Sequence, residues 1–148
     1  GTEVGDAVRQ FGDKWQMSKV VDGRRYWRVP GRDGGFFCEG KVGLTKKSVG
    51  GGNLLIMGAD WDKTMRATEA AVSAIDGVAD AIAPFPGGIV RSGSKVGSQY
   101  KGMSASTNDA YCPTLRGVTK SELGEDIGCV LEIVIDGPFH YHLKDLLP

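Results

Sequence analysis

The chain has 148 residues, with 18 Lys and Arg against 18 Asp and Glu, so its formal net charge is zero. That balance argues against a general nucleic-acid binder, which carries a basic excess or stripe, and the apolar runs are far shorter than the ~20 residues of a membrane helix. One domain is expected at this length, with on the order of 70% of the unfolded surface buried.

Gln16–Val21 and Arg24–Val29 are short β-like runs separated by Asp22-Gly23. That dipeptide between two such runs predicts a hairpin closed by a type I′ turn. Pro30 is expected to end the second strand, Gly31–Gly35 to form a loop, and Phe36–Leu44 to add a third strand to an antiparallel meander. After the glycines Gly50–Gly52, the apolar run Asn53–Met57 reads as a buried strand. The glycine run lacks a following lysine and GxGxxG spacing, so it is not a nucleotide loop.

The clearest helix is Trp61–Ile75, where Trp61, Met65, Thr68/Ala71 and Val72/Ile75 recur at steps of three and four. Asp60 is placed as its N-cap and Gly77 as its C′ glycine. Val78–Ala83 is the next expected strand, ended by Pro84. Leu115–Gly128 is charged and reads as a surface connection, whereas Cys129–Ile135 (CVLEIVI) is the strongest strand of the chain. Phe139–Leu143 reads as a last strand.

A strand, a helix and a strand, with a strong strand later, make half of a split βαβ sandwich. The fold class expected is α+β: a ferredoxin-like sandwich with an N-terminal antiparallel meander. Only Asp136-Gly137-Pro138 separates the last two strands, which leaves no room for a second helix. Either those strands pair directly or residues are absent from the chain.

Residues 83–112 (APFPGGIVRSGSKVGSQYKGMSASTNDAYC) are as polar as a loop but too particular for a linker. A segment this long without periodicity is usually disordered or functional. Its aromatics, and its place between two apolar segments, point to an ordered functional loop. The 23 glycines of the chain suggest many positions of positive φ or close approach. Cys38, Cys112 and Cys129, odd in number and without CxxC spacing, read as reduced thiols of a cytoplasmic protein. Residues 1–20 carry Asp and Glu and no apolar core, so no signal peptide is expected there.

Phe11-Gly12-Asp13, Gly51-Gly52-Asn53, Ala67–Ile75, Pro84–Val90 (PFPGGIV), Ser92–Gly97 (SGSKVG), Ala105–Thr114 (ASTNDAYCPT), Leu131–Gly137 (LEIVIDG) and the terminal HYHLKDLLP stand in one order along the chain. Together they resemble formylmethanofuran:tetrahydromethanopterin formyltransferase, including the version found in the bacterial formyltransferase/hydrolase complex. The resemblance implies the second, distal α/β lobe of that family, without the first lobe. It also implies a discontinuity near 137–138, where the family has a further helix, a strand and a glycine-rich turn. The implied reaction moves a formyl group between the amine of methanofuran and N5 of tetrahydromethanopterin, in methanogenesis or formaldehyde oxidation. Both carriers are substrates, and no tightly bound cofactor or metal is expected. The implied assembly is a homo-oligomer, a tetramer in the family, or part of the formyltransferase/hydrolase complex. A lobe acting as an inactive binding or assembly module is the alternative.

Formyl transfer between amines needs donors to an oxyanion and one group that exchanges a proton. Glu132, in the middle of CVLEIVI, is the candidate for that group, and the resemblance implies that role for the glutamate of this strand. A carboxylate among apolar neighbours is desolvated and drawn toward neutrality. The alternative reading is that alternation sets Glu132 opposite Leu131 and Ile133 and turns it to water.

Pro84-Phe85-Pro86-Gly87-Gly88 locks backbone direction and then lets a ligand approach the main chain. Phe85 is either an aromatic wall for a pterin or furan ring, or a plug in the core. Pro86, Gly87 and Gly88 count with it as substrate-binding candidates, as do Ser94 and Lys95, the lysine facing an anionic group of a carrier or merely solvated. Thr107 and Asn108 are expected to face the site and Asp109 to be structural, although Ser106-Thr107-Asn108-Asp109 can also simply cap a turn. The loop from 84 to 111 thus forms one wall of the expected site. Cys112 and Cys129 read as buried thiols. His140 and His142 share a strand face, but no metal-binding spacing supports them as ligands.

Overall fold

The computed structural model describes residues 1–31, 34–43, 48–91, 96–104 and 107–138. The chain expected to form one domain divides into two compact units, each built from two separate stretches: 1–44 with 93–122, and 45–92 with 123–148. Of residues 83–112, those up to 92 fall in the second unit and those from 93 in the first.

In the first unit β1 (Thr2–Glu3) pairs antiparallel with β5 (Lys41–Val42), and β2 (Met17–Val21), β3 (Arg24–Gly31) and β4 (Gly34–Glu39) form the expected meander. Asp22 and Gly23 both take positive φ, 49° and 75°, as a type I′ turn requires. Pro30 does not end β3: it pairs with Gly35, beyond the point where the ladder to β2 stops at Met17–Arg28. Among the described residues β3 there pairs with β4 alone, so a missing N–H is tolerated. The third strand expected over Phe36–Leu44 is interrupted at Gly40, whose N–H donates to the Arg25 carbonyl at 2.7 Å. Leu44 lies outside the described residues.

Helix α1 (Gly5–Gly12) was not expected from the sequence. It buries Val8 against Trp27 and Val29, which lie two apart on one face of β3, with Val4 and Cys38 at the edge of the cluster. Asp13 stops it in the left-handed region, with its N–H donating to the Gln10 carbonyl. Past the helix, Gln99 N–H donates to the Asp13 carbonyl at 3.0 Å, and the Gln16 amide donates to Tyr100 Oη at 3.2 Å.

The second unit holds an antiparallel sheet in the order β6-β8-β7, with β6 (Ser48–Gly58), β7 (Val90–Arg91) and β8 (Cys129–Pro138). Both outer strands run antiparallel to β8 and therefore parallel to each other. Between them in sequence stands α2 (Trp61–Asp76), so β8 is inserted into a split βαβ unit. Alternation sends Ile133 and Ile135 to the helix side, where they pack with Ile75, Leu54, Ile56, Ala71 and Val72. Leu131 and Ile133 are fully buried. Each such side chain contributes roughly 1.5–3 kcal/mol of transfer free energy.

Helix α2 starts as expected: the Asp60 carboxylate accepts from Lys63 N–H at 2.9 Å. Its buried face carries Thr64 and Thr68, whose hydroxyls donate to the carbonyls four residues back, Asp60 and Thr64. Gly77 ends the helix at φ −80°, not in the left-handed conformation of a C′ glycine; that region is taken by Asp80 at φ 63°.

Three further expectations change. Gly50–Gly52 belong to β6 and form a bulge between Val49 and Gly52, with Gly51 at φ 79° donating its N–H to Asp136 Oδ1 at 2.7 Å. The strand expected over Val78–Ala83 reduces to one bridge, Ile82 with Asp136. Asp136-Gly137-Pro138, expected to separate two strands, instead ends β8, paired with β6 as far as Ser48. Phe139–Leu143, with His140 and His142, lies outside the described residues.

Candidate functional site

The site is built on the face of the second sheet opposite α2. On β8 this face carries Val130, Glu132 and Val134; on β6 it carries Asn53, Leu55 and Met57, from the register Asn53–Val134, Leu55–Glu132 and Met57–Val130. An apolar strand places a carboxylate there because the period of two leaves one side chain in every pair off the helix face. Water was one expected environment for Glu132, yet the residue is only 8% exposed. The side-chain amide of Asn53 donates to its Oε1.

Beside Glu132 runs the other edge of the sheet. Val90 lies opposite Glu132 and Arg91 opposite Leu131, whereas upstream Ile82 lies opposite Asp136. Eight residues on the edge therefore span four on β8, and the surplus is thrown out as the Pro84–Gly88 excursion. Two features force it. Pro84 and Pro86 have no N–H to give to a ladder, and Gly87 and Gly88 both take left-handed φ, 68° and 74°. Gly88 is also pressed on α2: a Cβ there would stand 2.7 Å from Val72 Cγ1. Where the edge rejoins β8, the Arg91 guanidinium lies 5.1 Å from the Trp61 ring centre, a cation–π distance.

Among the sequence-predicted site residues, Glu132, Phe85, Pro86, Gly87 and Gly88 are thus gathered in the second unit. Phe85 is half-buried at the start of the excursion, and its carbonyl accepts from Gly88 N–H at 2.8 Å. Thr107 and Asn108 belong to the first unit. There the Thr107 carbonyl accepts from Asp109 N–H, and the Asn108 carbonyl from Tyr111 N–H. The loop is pinned further by Tyr111 Oη donating to Glu122 Oε2 at 2.6 Å, with Glu122 raising the Tyr111 pKa first through that bond and then through its charge. Ser94 and Lys95 lie outside the described residues. Cys112 and Cys129 are buried, as expected, and Cys38 is half-buried, with burial pushing its thiol pKa up. No cluster of His, Cys, Asp or Glu able to hold a metal occurs among the described residues.

Sequence reasoning did not single out Asn53 or Asp136 as functional. For Asn53 a signal exists: a polar residue opening the apolar run Asn53–Met57 on a strand that must pair with the glutamate strand. Its partner is 79 positions away, so only the strand register makes the pair visible.

Comparison with known proteins adds four results. A formylmethanofuran–tetrahydromethanopterin formyltransferase of Methylobacillus flagellatus is 55% identical over 134 residues, covering 90% of this chain and 44% of the relative. One component of the formyltransferase/hydrolase complex of Methylorubrum extorquens is 52% identical over 139 residues, covering 90% of this chain and 45% of the relative. The solved structure of that complex with methylofuran matches at 53% identity and a TM-score of 0.54, over 91% of this chain and 46% of the matched chain. The chain therefore spans a little under half the length of the curated relatives it matches. The family model described as "FTR, proximal lobe" matches residues 34–145. That description corrects the expected lobe from distal to proximal; motif order alone does not separate one lobe from the other. With about three quarters of its residues under that model, the chain belongs to the FTR family of formyltransferases.

Proposed function

We propose that this chain is the catalytic-site-bearing lobe of an enzyme that moves a formyl group between methanofuran and N5 of tetrahydromethanopterin. The observation that carries the reading is Glu132, buried on the central strand, held by an amide and flanked by the Pro84–Gly88 excursion. The relatives' names supply the reaction class, and the Methylorubrum complex holds methylofuran.

In this reading the acceptor amine attacks the carbonyl carbon of the N-formyl group. A new C–N bond forms and the carbonyl electron pair moves to oxygen. The Glu132 carboxylate takes a proton from the attacking nitrogen and returns it to the departing one. The old C–N bond breaks as the carbonyl reforms, so no proton is consumed overall. Burial favours a carboxyl group able to cycle between its two forms. Phe85, Pro86, Gly87 and Gly88 would wall the ring of a carrier. Ser94, Lys95, Thr107 and Asn108 are proposed as polar contacts. The two carriers act as substrates, without a metal. A cytoplasmic homo-oligomer, or membership of a formyltransferase/hydrolase complex, completes the proposal; no helix among the described residues is long and apolar enough to cross a membrane.

The strand order β6-β8-β7 with α2 supports the ferredoxin-like reading as well: it corresponds to three of that fold's four strands and one of its two helices. The family model crosses both compact units, which supports treating residues 1–148 as one lobe.

The test is Glu132→Gln in the full protein that carries this chain, assayed for transfer from formyl-tetrahydromethanopterin to methanofuran. Turnover should fall by about 10²–10⁴, the usual contribution of a positioned proton-exchanging group, with unfolding unchanged. Near-normal turnover would remove Glu132 from the mechanism. The alternative reading is a binding or assembly module without activity. Transfer by this chain alone would exclude that module; binding of either carrier without transfer, by this chain and by the full protein alike, would establish it.

A further inference from the structure

We infer that Asn53 is a positioning residue for Glu132: it orients the carboxylate and favours its ionised form between turnovers. The inference rests on the proposed role of Glu132. Asn53 Nδ2 donates to Glu132 Oε1, which fixes the orientation of the carboxylate. The two residues are diagonal neighbours, since Glu132 lies opposite Leu55 and Asn53 opposite Val134. Diagonal positions on one face stand roughly 7–8 Å apart, a gap that an amide and a carboxylate side chain close together.

The exposures differ in a useful way. Asn53 is exposed and Glu132 is buried, so the amide meets the carboxylate from the open side. A hydrogen bond to the charged form favours that form. An amide also carries no charge and does not titrate. Among the described residues, the side chains beside Glu132 on this face, Leu55, Val90, Val130 and Val134, carry no charge, and the next carboxylate along β8 is Asp136. The segment bearing Asn53 is anchored from the same strand as Glu132, because Asp136 Oδ1 accepts from Gly51 N–H two residues earlier.

The test is the pH profile of kcat and kcat/KM in the full protein with Asn53→Ala and Asn53→Asp. If the carboxylate form must start the cycle, activity falls as pH drops through the titration of Glu132. Losing the amide donor should move this acid limb to higher pH by about one unit, a tenfold change in the proton affinity of Glu132. KM should change little. The isosteric Asn53→Asp, which sets a second carboxylate beside the first, should move the limb further in the same direction. It also keeps the test open if the alanine variant folds poorly. An acid limb unmoved in both variants, with losses confined to KM or stability, would overturn the inference. Glu132→Gln separates the two levels. If that variant keeps near-normal turnover, the proposed role of Glu132 fails. If it loses turnover while the limb stays fixed in both Asn53 variants, only the role of Asn53 fails.

Discussion

Adjacent glycines in the Pro84–Gly88 excursion offer an internally controlled perturbation. Gly87 and Gly88 have nearly the same left-handed φ, 68° and 74°, so alanine at either incurs a similar backbone penalty. That penalty is roughly 1–2 kcal/mol. Their surroundings differ. A Cβ on Gly87 meets nothing within 4 Å, whereas one on Gly88 meets Val72 Cγ1 at 2.7 Å, Val72 Cγ2 at 3.0 Å and Ala83 Cβ at 3.3 Å. Forcing that contact in a packed interface adds about 1–3 kcal/mol. Gly87→Ala should therefore cost about 1–2 kcal/mol and Gly88→Ala about 2–5 kcal/mol. Urea unfolding reads both as shifts of the midpoint at constant slope. Val72→Ala removes both offending methyls, so the double variant Val72→Ala with Gly88→Ala should be more stable than the sum of the singles requires, by more than the ~0.5 kcal/mol expected of independent sites. Equal costs at Gly87 and Gly88, or strict additivity of the pair, would refute the packing account of the excursion.

Two other outcomes follow from single contacts. Asp136→Ala leaves Gly51 N–H without its side-chain acceptor at the β6 bulge, so stability should drop by about 1 kcal/mol, read as a lower urea midpoint. Tyr111 has its pKa raised by the hydrogen bond to Glu122 and then by the charge of Glu122. Its neutral form is therefore favoured by folding, and the stabilisation is present below the ordinary phenol value and lost as pH rises through the raised one. Tyr111→Phe should narrow the difference in urea midpoint between about pH 8 and about pH 11; an identical difference in both proteins would count against the Tyr111–Glu122 clasp.

Much of the backbone was legible because it is decided locally. Asp22-Gly23 signals a turn with two positive φ values, and both occur. The spacing of apolar residues and the Asp60 cap place α2 to within one residue of its observed end at Asp76. CVLEIVI forms the central strand, as its composition implies. Helix α1 was missed because it is short and buries little beyond Val8 and Gly12. The edge of the second sheet was misread because β propensity over Val78–Ala83 cannot anticipate that prolines and left-handed glycines downstream will break the ladder.

The sequence by itself determined the α+β class, the meander, the main helix, the glutamate strand and the family, since these depend on residue type, period and motif order. Whether that glutamate meets water or protein is a different matter. It follows from which strands flank β8, what register they keep and what the proline–glycine excursion leaves beside it. Those are agreements between residues as far apart as Asn53 and Glu132, and they exist only once the sheet has closed. The tertiary structure alone buried Glu132, gave it an amide partner and threw the excursion out at its side.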